Sequence, residues 1–265
     1  MSSALIGYTG FVGGTLACQR SFDATFNSKN IGDIAGQSFD LIICAGAPAE
    51  KWKANANPEQ DRASLALLTD SLKQCTADRV ILISTVDVYS TPENVDEDTP
   101  IVAQDLQAYG RHRYELERFV TEHFPKAYVA RLPGLFGQGL KKNLIFDLLN
   151  GKLDWTDHRS WIQFYDLARL WDDLQRVVAA DLALANFATE PVSAADVASR
   201  CFDLKYTTTR DQPPPRYDMR TKFASELGGR GDYLYDADET FRRIRQFVTE
   251  ERNRNADSSK QAVGR

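Results

Sequence analysis

The stretch "ALIGYTGFVGGTLACQ", residues 4–19, decides the fold. It begins as a short apolar strand, continues as a turn with glycines at positions 7, 10 and 13, and ends as a helix. In this context glycines allow a tight turn, close approach of the backbone to a pyrophosphate and close helix–strand packing. The helix N-terminus attracts the anion through its unpaired N–H groups and its dipole. The stretch therefore predicts a phosphate-binding loop. The alternative is a glycine-rich turn without a ligand.

Buried strands alternate with amphipathic helices along the rest of the chain. Strands are predicted at 22–27, 39–48, 78–90 and 127–137, and helices at 57–75, 104–124, 166–183 and 236–251. This alternation is typical of an α/β protein with a doubly wound parallel sheet of the Rossmann type. We predict a dinucleotide-binding domain at 1–135 with parts of 155–190, a small C-terminal substrate-binding region at 136–155 and 191–252, and a disordered polar tail at 253–265.

Composition narrows the class of protein. The chain has 265 residues, 43% hydrophobic and 26% charged, as in ordinary globular proteins. Its net charge of −5 argues against nucleic-acid partners. No apolar run suits a membrane span, and we expect no signal peptide. Four cysteines lack metal-ligand spacing, so we expect buried free thiols, no metal site and a cytoplasmic location.

Five motifs in order resemble those of the extended short-chain dehydrogenase/reductase superfamily, which includes nucleotide-sugar epimerases, dehydratases and reductases. They are the G-x-x-G-x-x-G loop with "ICAGAP", then "STVDVYS" for S-[ST]-x-x-V-Y-G, "YGRHR" for Y-x-x-x-K, "RLPGLFG" for R-x-x-x-[VF]-[YF]-G, and "WIQFYDLA" for F-I-x-V-x-D-L-A. They cover residues 4 to about 170. The short segment before "FDLIICAG" is closest to the reductases of the deoxysugar pathway.

The resemblance implies a set of catalytic residues. Tyr109 would be the general acid or base, Thr85 would hold the reacting oxygen, and Arg113 would bind the nicotinamide ribose in place of the family's lysine. Asp87 occupies the position of a dehydratase glutamate, although a loop contact or a substrate-hydroxyl contact is the more favoured role. Trp52 and Lys53 follow the strand where substrates enter.

The helix predicted at 104–124 shows where the sequence departs from the family pattern. Tyr109 and Arg113 share a face that continues with apolar residues, so Arg113 should point inward. A buried guanidinium needs a partner, so Arg113 either reaches solvent or meets a ligand. His112 is predicted at the surface. An asparagine usual in the family is replaced near Gln60 or Asp61.

The resemblance also implies a dinucleotide cofactor. The second strand ends in "FNSKN" without an acid, which favours NADP(H) and leaves NAD(H) possible. The Asp-apolar pair at 33 and 34 would contact adenine, and Pro133 marks backbone near the nicotinamide. The predicted cofactor-contacting residues are Gly7, Thr9, Gly10, Phe11, Val12, Gly13, Asn27, Ser28, Lys29, Asp33, Ile34, Ala45, Gly46, Ala47, Tyr109, Arg113 and Pro133.

The leading hypothesis is an NAD(P)-dependent oxidoreductase or epimerase that acts on a hydroxyl or carbonyl of a small, sugar-nucleotide-like substrate. The alternative is an NADP(H)-binding regulator or pseudoenzyme, impaired because the motif lysine is Arg113. The helices at 58–75 and 104–124 resemble those of the family's dimer interface, which predicts a homodimer.

Overall fold

The computed structural model describes residues 2–154 and 156–263, and the side chains as far as residue 256. The strands are β1 Ser3–Ile6, β2 Ala24–Phe26, β3 Ser38–Cys44, β4 Thr76–Thr85, β5 Glu93–Val95, β6 Ala127–Leu132, β7 Gly134–Phe136, β8 Trp161–Ile162, β9 Phe164–Asp166, β10 Leu184–Asn186, β11 Val192–Ser193 and β12 Asp218–Met219. The helices are α1 Phe11–Gln19, α2 Lys51–Ala56, α3 Pro58–Leu72, α4 Ala108–His123, α5 Leu144–Leu149, α6 Leu170–Ala179, α7 Ala194–Phe202 and α8 Ala237–Val263.

Six strands form the central sheet in the order β10-β6-β4-β3-β1-β2. All of its neighbouring strands run parallel, which confirms the predicted doubly wound α/β class. The order reverses between β1 and β3, because the chain builds outward from β1 in both directions. In such sheets ligands bind outside the carboxyl ends of the strands, at this reversal.

Helices cover both faces of the sheet. On one face α3 and α4 contribute residues such as Leu68 and Val120 to an apolar cluster with the strands. On the other face Leu16 of α1 and Leu174 of α6 are completely buried. Each such leucine contributes roughly 1.5–3 kcal/mol relative to an exposed one. This packing fixes the height of each helix above the sheet, and so fixes the loops at its carboxyl edge.

The C-terminal part packs around its own apolar cluster. It joins α5, α7 and α8 through residues such as Ile145, Val197 and Ile244. The sequence prediction missed α7, a short helix whose N-terminus is capped by the Ser193 hydroxyl accepting from the amide of Asp196. The prediction of a disordered tail from 253 also differs from the structure, in which α8 continues as a helix to Val263.

The cysteines are free, and three are buried as expected, whereas Cys18 is exposed on α1. Within residues 2–154 and 156–263 no helix is long and apolar enough to cross a membrane. In the same part of the chain no group of three or more His, Cys, Asp or Glu side chains is placed to hold a metal ion.

Candidate active site

The predicted site residues meet at one edge of the sheet. Gly7 follows β1, Ala45–Ala47 follow β3, Thr85 ends β4, and Pro133 follows β6. These strands are parallel neighbours, so their carboxyl ends point to the same side. The fold therefore brings together segments that are more than a hundred residues apart in the sequence.

The glycine loop leaves no room for side chains at two of its positions. Gly7 has φ +88°, and a Cβ built on it would lie 2.3 Å from the carbonyl oxygen of Ala45. A Cβ on Gly13 would lie 2.1 Å from the carbonyl oxygen of Gly7. Close packing of β1, α1 and the loop after β3 thus requires these glycines.

The N-terminus of α1 opens at the same place. Gly10 is the N-cap residue and has no side chain that could accept from the first turn. The first-turn N–H groups therefore lack acceptors within the helix, and the helix dipole adds positive potential. This arrangement fits the pyrophosphate of a dinucleotide.

The loop after β2 carries the residues predicted to select the cofactor. Asn27 shapes it, because its side-chain oxygen accepts from the amide of Lys29 at 2.8 Å. Ser28 and Lys29 are exposed at its tip. Asp33 is exposed, whereas Ile34 is completely buried in the core cluster, which leaves Asp33 as the only member of this pair facing solvent.

Tyr109 lies in the first turn of α4, and its position is set from a different helix. The side-chain oxygen of Asn55 on α2 accepts from the Tyr109 amide at 2.9 Å and so satisfies an N–H of the first turn. Gly110 allows α4 to approach the segment after β4, since a Cβ there would lie 2.0 Å from the carbonyl oxygen of Asp87. Neither contact was predicted.

Thr85 and Tyr109, which the resemblance assigns to one site, lie at the same edge of the sheet. The Thr85 hydroxyl accepts from the Asp87 amide at 3.2 Å and lies near the Tyr109 phenol. Burial raises the pKa of Tyr109, and the charge of Arg113 and the nearby Thr85 hydroxyl oppose that rise only in part. The negative charge of Asp87 raises it further. The phenol is therefore protonated near neutral pH, as a proton donor must be.

Arg113 meets a partner that the sequence analysis did not assign to it. Its guanidinium, 3% exposed, forms two hydrogen bonds with the carboxylate of Asp61, one of 2.8 Å from Nη2. Nη2 also donates to the carbonyl oxygen of Pro48. The guanidinium carbon lies 4.1 Å from the centre of the Tyr109 ring. Arg113 thus does not reach solvent, because α3 supplies the counter-charge to its two terminal nitrogens, while its buried Nε has no hydrogen-bond partner among the described residues.

His112 is not at the surface, which corrects the sequence-based expectation. It is 2% exposed, and its Nδ1 lies 2.7 Å from Oδ2 of Asp61. Packing of α3 against α4 covers this side of the helix. Burial would raise the pKa of Asp61, but the hydrogen bonds from Arg113 and His112 outweigh it and hold that pKa below its usual value. Gln60, the other candidate at this position, is exposed.

A cleft of about 370 Å³ opens beside Asp87 and Gly110. Lys51 on α2 lines it and donates to Oδ1 of Asp87 at 2.7 Å. Tyr217, from the C-terminal part, also lines it and lies near Lys51, whose positive charge opposes the rise in pKa that burial causes in the Tyr217 phenol. Sequence reasoning selected the neighbours Trp52 and Lys53, which are exposed and do not line this cleft. Lys51 could have been selected from the sequence, because it directly precedes Trp52 at the predicted substrate entrance. Tyr217 lies in an irregular segment, where no sequence pattern pointed to it.

A buried polar network joins α4 to β4 and β6 below the carboxyl edge of the sheet. Glu117 of α4 accepts two hydrogen bonds from Arg131 of β6 and one from Ser84 of β4. Arg131 also donates to the Tyr89 hydroxyl at 2.8 Å. Arg131, the arginine of "RLPGLFG", is therefore a structural residue that ties α4 to two strands. This network fixes the height of Tyr109 above the sheet.

A parallel sheet whose order reverses beside a glycine loop, with a tyrosine and a threonine at the same edge, defines a Rossmann-type dinucleotide-binding fold. No family model matches the sequence, and no curated protein matches it.

Solved structures do match the fold. MoeE5 in complex with UDP-glucose and NAD is 15% identical with a TM-score of 0.73, over 95% of this chain and 99% of that one. A dTDP-4-dehydrorhamnose reductase from Clostridium acetobutylicum is 15% identical with a TM-score of 0.73, over 95% and 100%. RMD from Pseudomonas aeruginosa complexed with NADPH is 16% identical with a TM-score of 0.72, over 95% and 100%. The chain thus shares its fold with these solved proteins.

Proposed function

We propose that the protein is an NAD(P)-dependent oxidoreductase or epimerase that acts on a hydroxyl or carbonyl group of a sugar-nucleotide-like substrate. The observation that carries this proposal is that Thr85, at the end of β4, and Tyr109, in the first turn of α4, lie near each other at the same sheet edge as the glycine loop. Proteins of this fold solved with UDP-glucose and NAD, or with NADPH, agree with it.

The proposed cofactor would bind at the glycine loop. At Gly7 and Gly13 neighbouring backbone occupies the space that a side chain would need. The proposed pyrophosphate ligands are the amides that begin α1. The exposed Ser28 and Lys29 would accommodate a ribose phosphate, which favours NADP(H), with NAD(H) as the alternative. The remaining predicted contacts at Asp33, Ala45–Ala47 and Pro133 are part of the same proposal.

When bound, the dinucleotide supplies or accepts the hydride. Tyr109 would give its phenolic proton to the carbonyl oxygen as hydride adds to the carbonyl carbon, which yields the alcohol. Thr85 would hold that oxygen by a hydrogen bond. Arg113 is proposed to act through its charge on the Tyr109 ring from the position in which Asp61 holds it, without reaching the ribose. Since oxidation reverses the same steps, Tyr109 would then accept the proton.

The proposal is tested in two stages. Quenching of tryptophan fluorescence by NADPH, NADP⁺, NADH and NAD⁺ measures cofactor affinity, and we expect micromolar binding that prefers the phosphorylated pair. NADPH oxidation is then followed with nucleotide-linked 4-keto sugars for wild type and Tyr109→Phe. We expect the variant to keep its NADPH affinity and to lose about 100-fold or more in kcat. No binding of any dinucleotide would contradict the proposal.

A second candidate is a dinucleotide-binding regulator without catalysis. Asp61 favours it, because this carboxylate offsets the positive charge that the family's lysine would offer to Tyr109. The cleft beside Asp87 favours the enzyme instead. Dinucleotide binding without any turnover, equal in wild type and Tyr109→Phe, would identify the regulator. The homodimer through α3 and α4 stays a prediction.

A further inference from the structure

Lys51, Asp87 and Tyr217 form a polar cluster that joins the two parts of the molecule across the cleft. Asp87 follows β4, Lys51 begins α2, and Tyr217 belongs to the C-terminal part. The Lys51 ammonium donates to the Asp87 carboxylate at 2.7 Å and lies near the Tyr217 phenol. The cluster adjoins Tyr109, because Gly110 packs directly on the backbone of Asp87. The charges of Asp87 and Lys51 both act on the pKa of the Tyr109 phenol, so the cluster lies near the proposed reacting group, although Tyr109 itself does not line the cleft.

The charges that line the cleft do not balance. Among the described residues, the charged lining consists of the cations Lys51 and Arg216 and the carboxylates Asp87, Glu93 and Asp105. This leaves one formal negative charge. Lys51 is moreover already paired with Asp87, which is only 19% exposed.

This excess of negative charge has opposite consequences for a neutral sugar ring and for a ring that carries a carboxylate. Hydroxyl groups of a neutral ring can donate to Asp87 and accept from Lys51 or Tyr217. A ring carboxylate would meet the excess of negative charge, and Lys51 is already paired with Asp87, which leaves Arg216 as the other cation of the described lining. Unpaired like charges are a common means of excluding a wrong ligand.

We propose that the cleft selects the neutral, hydroxyl-bearing ring of a nucleotide sugar against a ring that carries a carboxylate, and that the Lys51–Asp87 pair sets this preference. The inference rests on the proposed function, because it assumes that the substrate is a nucleotide sugar. It adds two specificity residues, Lys51 and Tyr217, that the motifs do not contain.

UDP-glucose and UDP-glucuronic acid test the proposal, because they differ only at C6 of the sugar, which is a hydroxymethyl group in the first and a carboxylate in the second. Dissociation constants are measured by calorimetry on protein saturated with NADP⁺. We expect wild type to prefer UDP-glucose by about tenfold or more. Asp87→Asn removes one carboxylate and should bring the ratio of the two constants close to one. Lys51→Met removes a cation and should widen that ratio.

Lys53→Met is the matched control, because it removes the same charge from the same helix but outside the cleft, where Lys53 faces Glu50. It should leave the ratio unchanged. Circular dichroism and NADP⁺ affinity show whether each variant is folded.

Equal affinity of wild type for the two sugars would overturn the proposal, and so would shifts of the ratio in the same direction for Asp87→Asn and Lys51→Met. Binding of neither sugar by a protein that still binds NADP⁺ would overturn it while sparing the dinucleotide part of the proposed function. Loss of NADP⁺ binding as well in wild type would contradict the proposed function itself.

Discussion

Replacing Asp61 with asparagine should destabilise the protein far more than any surface substitution on the same helix. Asp61 and Arg113 have side chains 4% and 3% exposed, and the carboxylate also holds His112. Asparagine keeps the shape but leaves the guanidinium buried without a counter-charge. Removal of one member of a buried ion pair costs about 3–5 kcal/mol of unfolding free energy.

For a chain of this size, that loss corresponds to a fall in Tm of roughly 6–20 °C. The loss should be recovered in part when the second charge is removed as well. In Asp61→Leu/Arg113→Met two apolar side chains replace the pair, and such exchanges are often neutral or stabilising. We therefore expect this double variant to unfold at a higher temperature than Asp61→Asn, although His112 still lacks its partner.

Thermal unfolding followed by circular dichroism measures these effects. The matched control is the exposed pair of Arg62 and Glu115, which joins the same two helices at 3.1 Å. Because solvent screens that pair, Glu115→Ala should cost less than about 1 kcal/mol. NADPH affinity of the double variant is measured in parallel and should stay within about threefold of wild type.

Two outcomes would refute the reasoning. If Asp61→Asn were as stable as Glu115→Ala, Asp61 would not be the counter-charge that keeps Arg113 buried. If the folded double variant bound NADPH about tenfold or more weakly, Arg113 would contact the cofactor, as the motif lysine of the family implies.

Three further predictions concern the same region. Gly110→Ala should cost about 1–3 kcal/mol by overpacking against backbone, whereas Gly32→Ala, whose Cβ would meet nothing within 4 Å, should be neutral in urea unfolding. Asn55→Ala should cost about 0.5–2 kcal/mol, because the first turn of α4 loses its cap, and should speed hydrogen exchange of the Tyr109 amide. Folding lowers the pKa of Asp61. The difference in unfolding free energy between wild type and Asp61→Asn should therefore be full above about pH 4 and should shrink as pH falls through the lower folded-state pKa. Acid unfolding of both proteins checks this.

The sequence alone determined the fold class and part of the site. Glycines at 7, 10 and 13 between an apolar strand and a helix predict the loop, because these requirements are local. The spacing of Tyr109 and Arg113 places both on one helical face for the same reason. Thr85 was selected by the resemblance of "STVDVYS" to S-[ST]-x-x-V-Y-G, in which it stands three residues before Val88, and the structure places it at the end of β4.

Only the tertiary structure decided what surrounds these residues. Asp61 and Asn55 reach α4 from other helices, and Tyr217 reaches the cleft from an irregular segment. No local pattern encodes such partners, because they depend on the height and rotation at which helices pack on the sheet. The sequence could show that Arg113 lies on an inward face and either reaches solvent or meets a ligand, but only packing decided that its partner is a carboxylate of the protein.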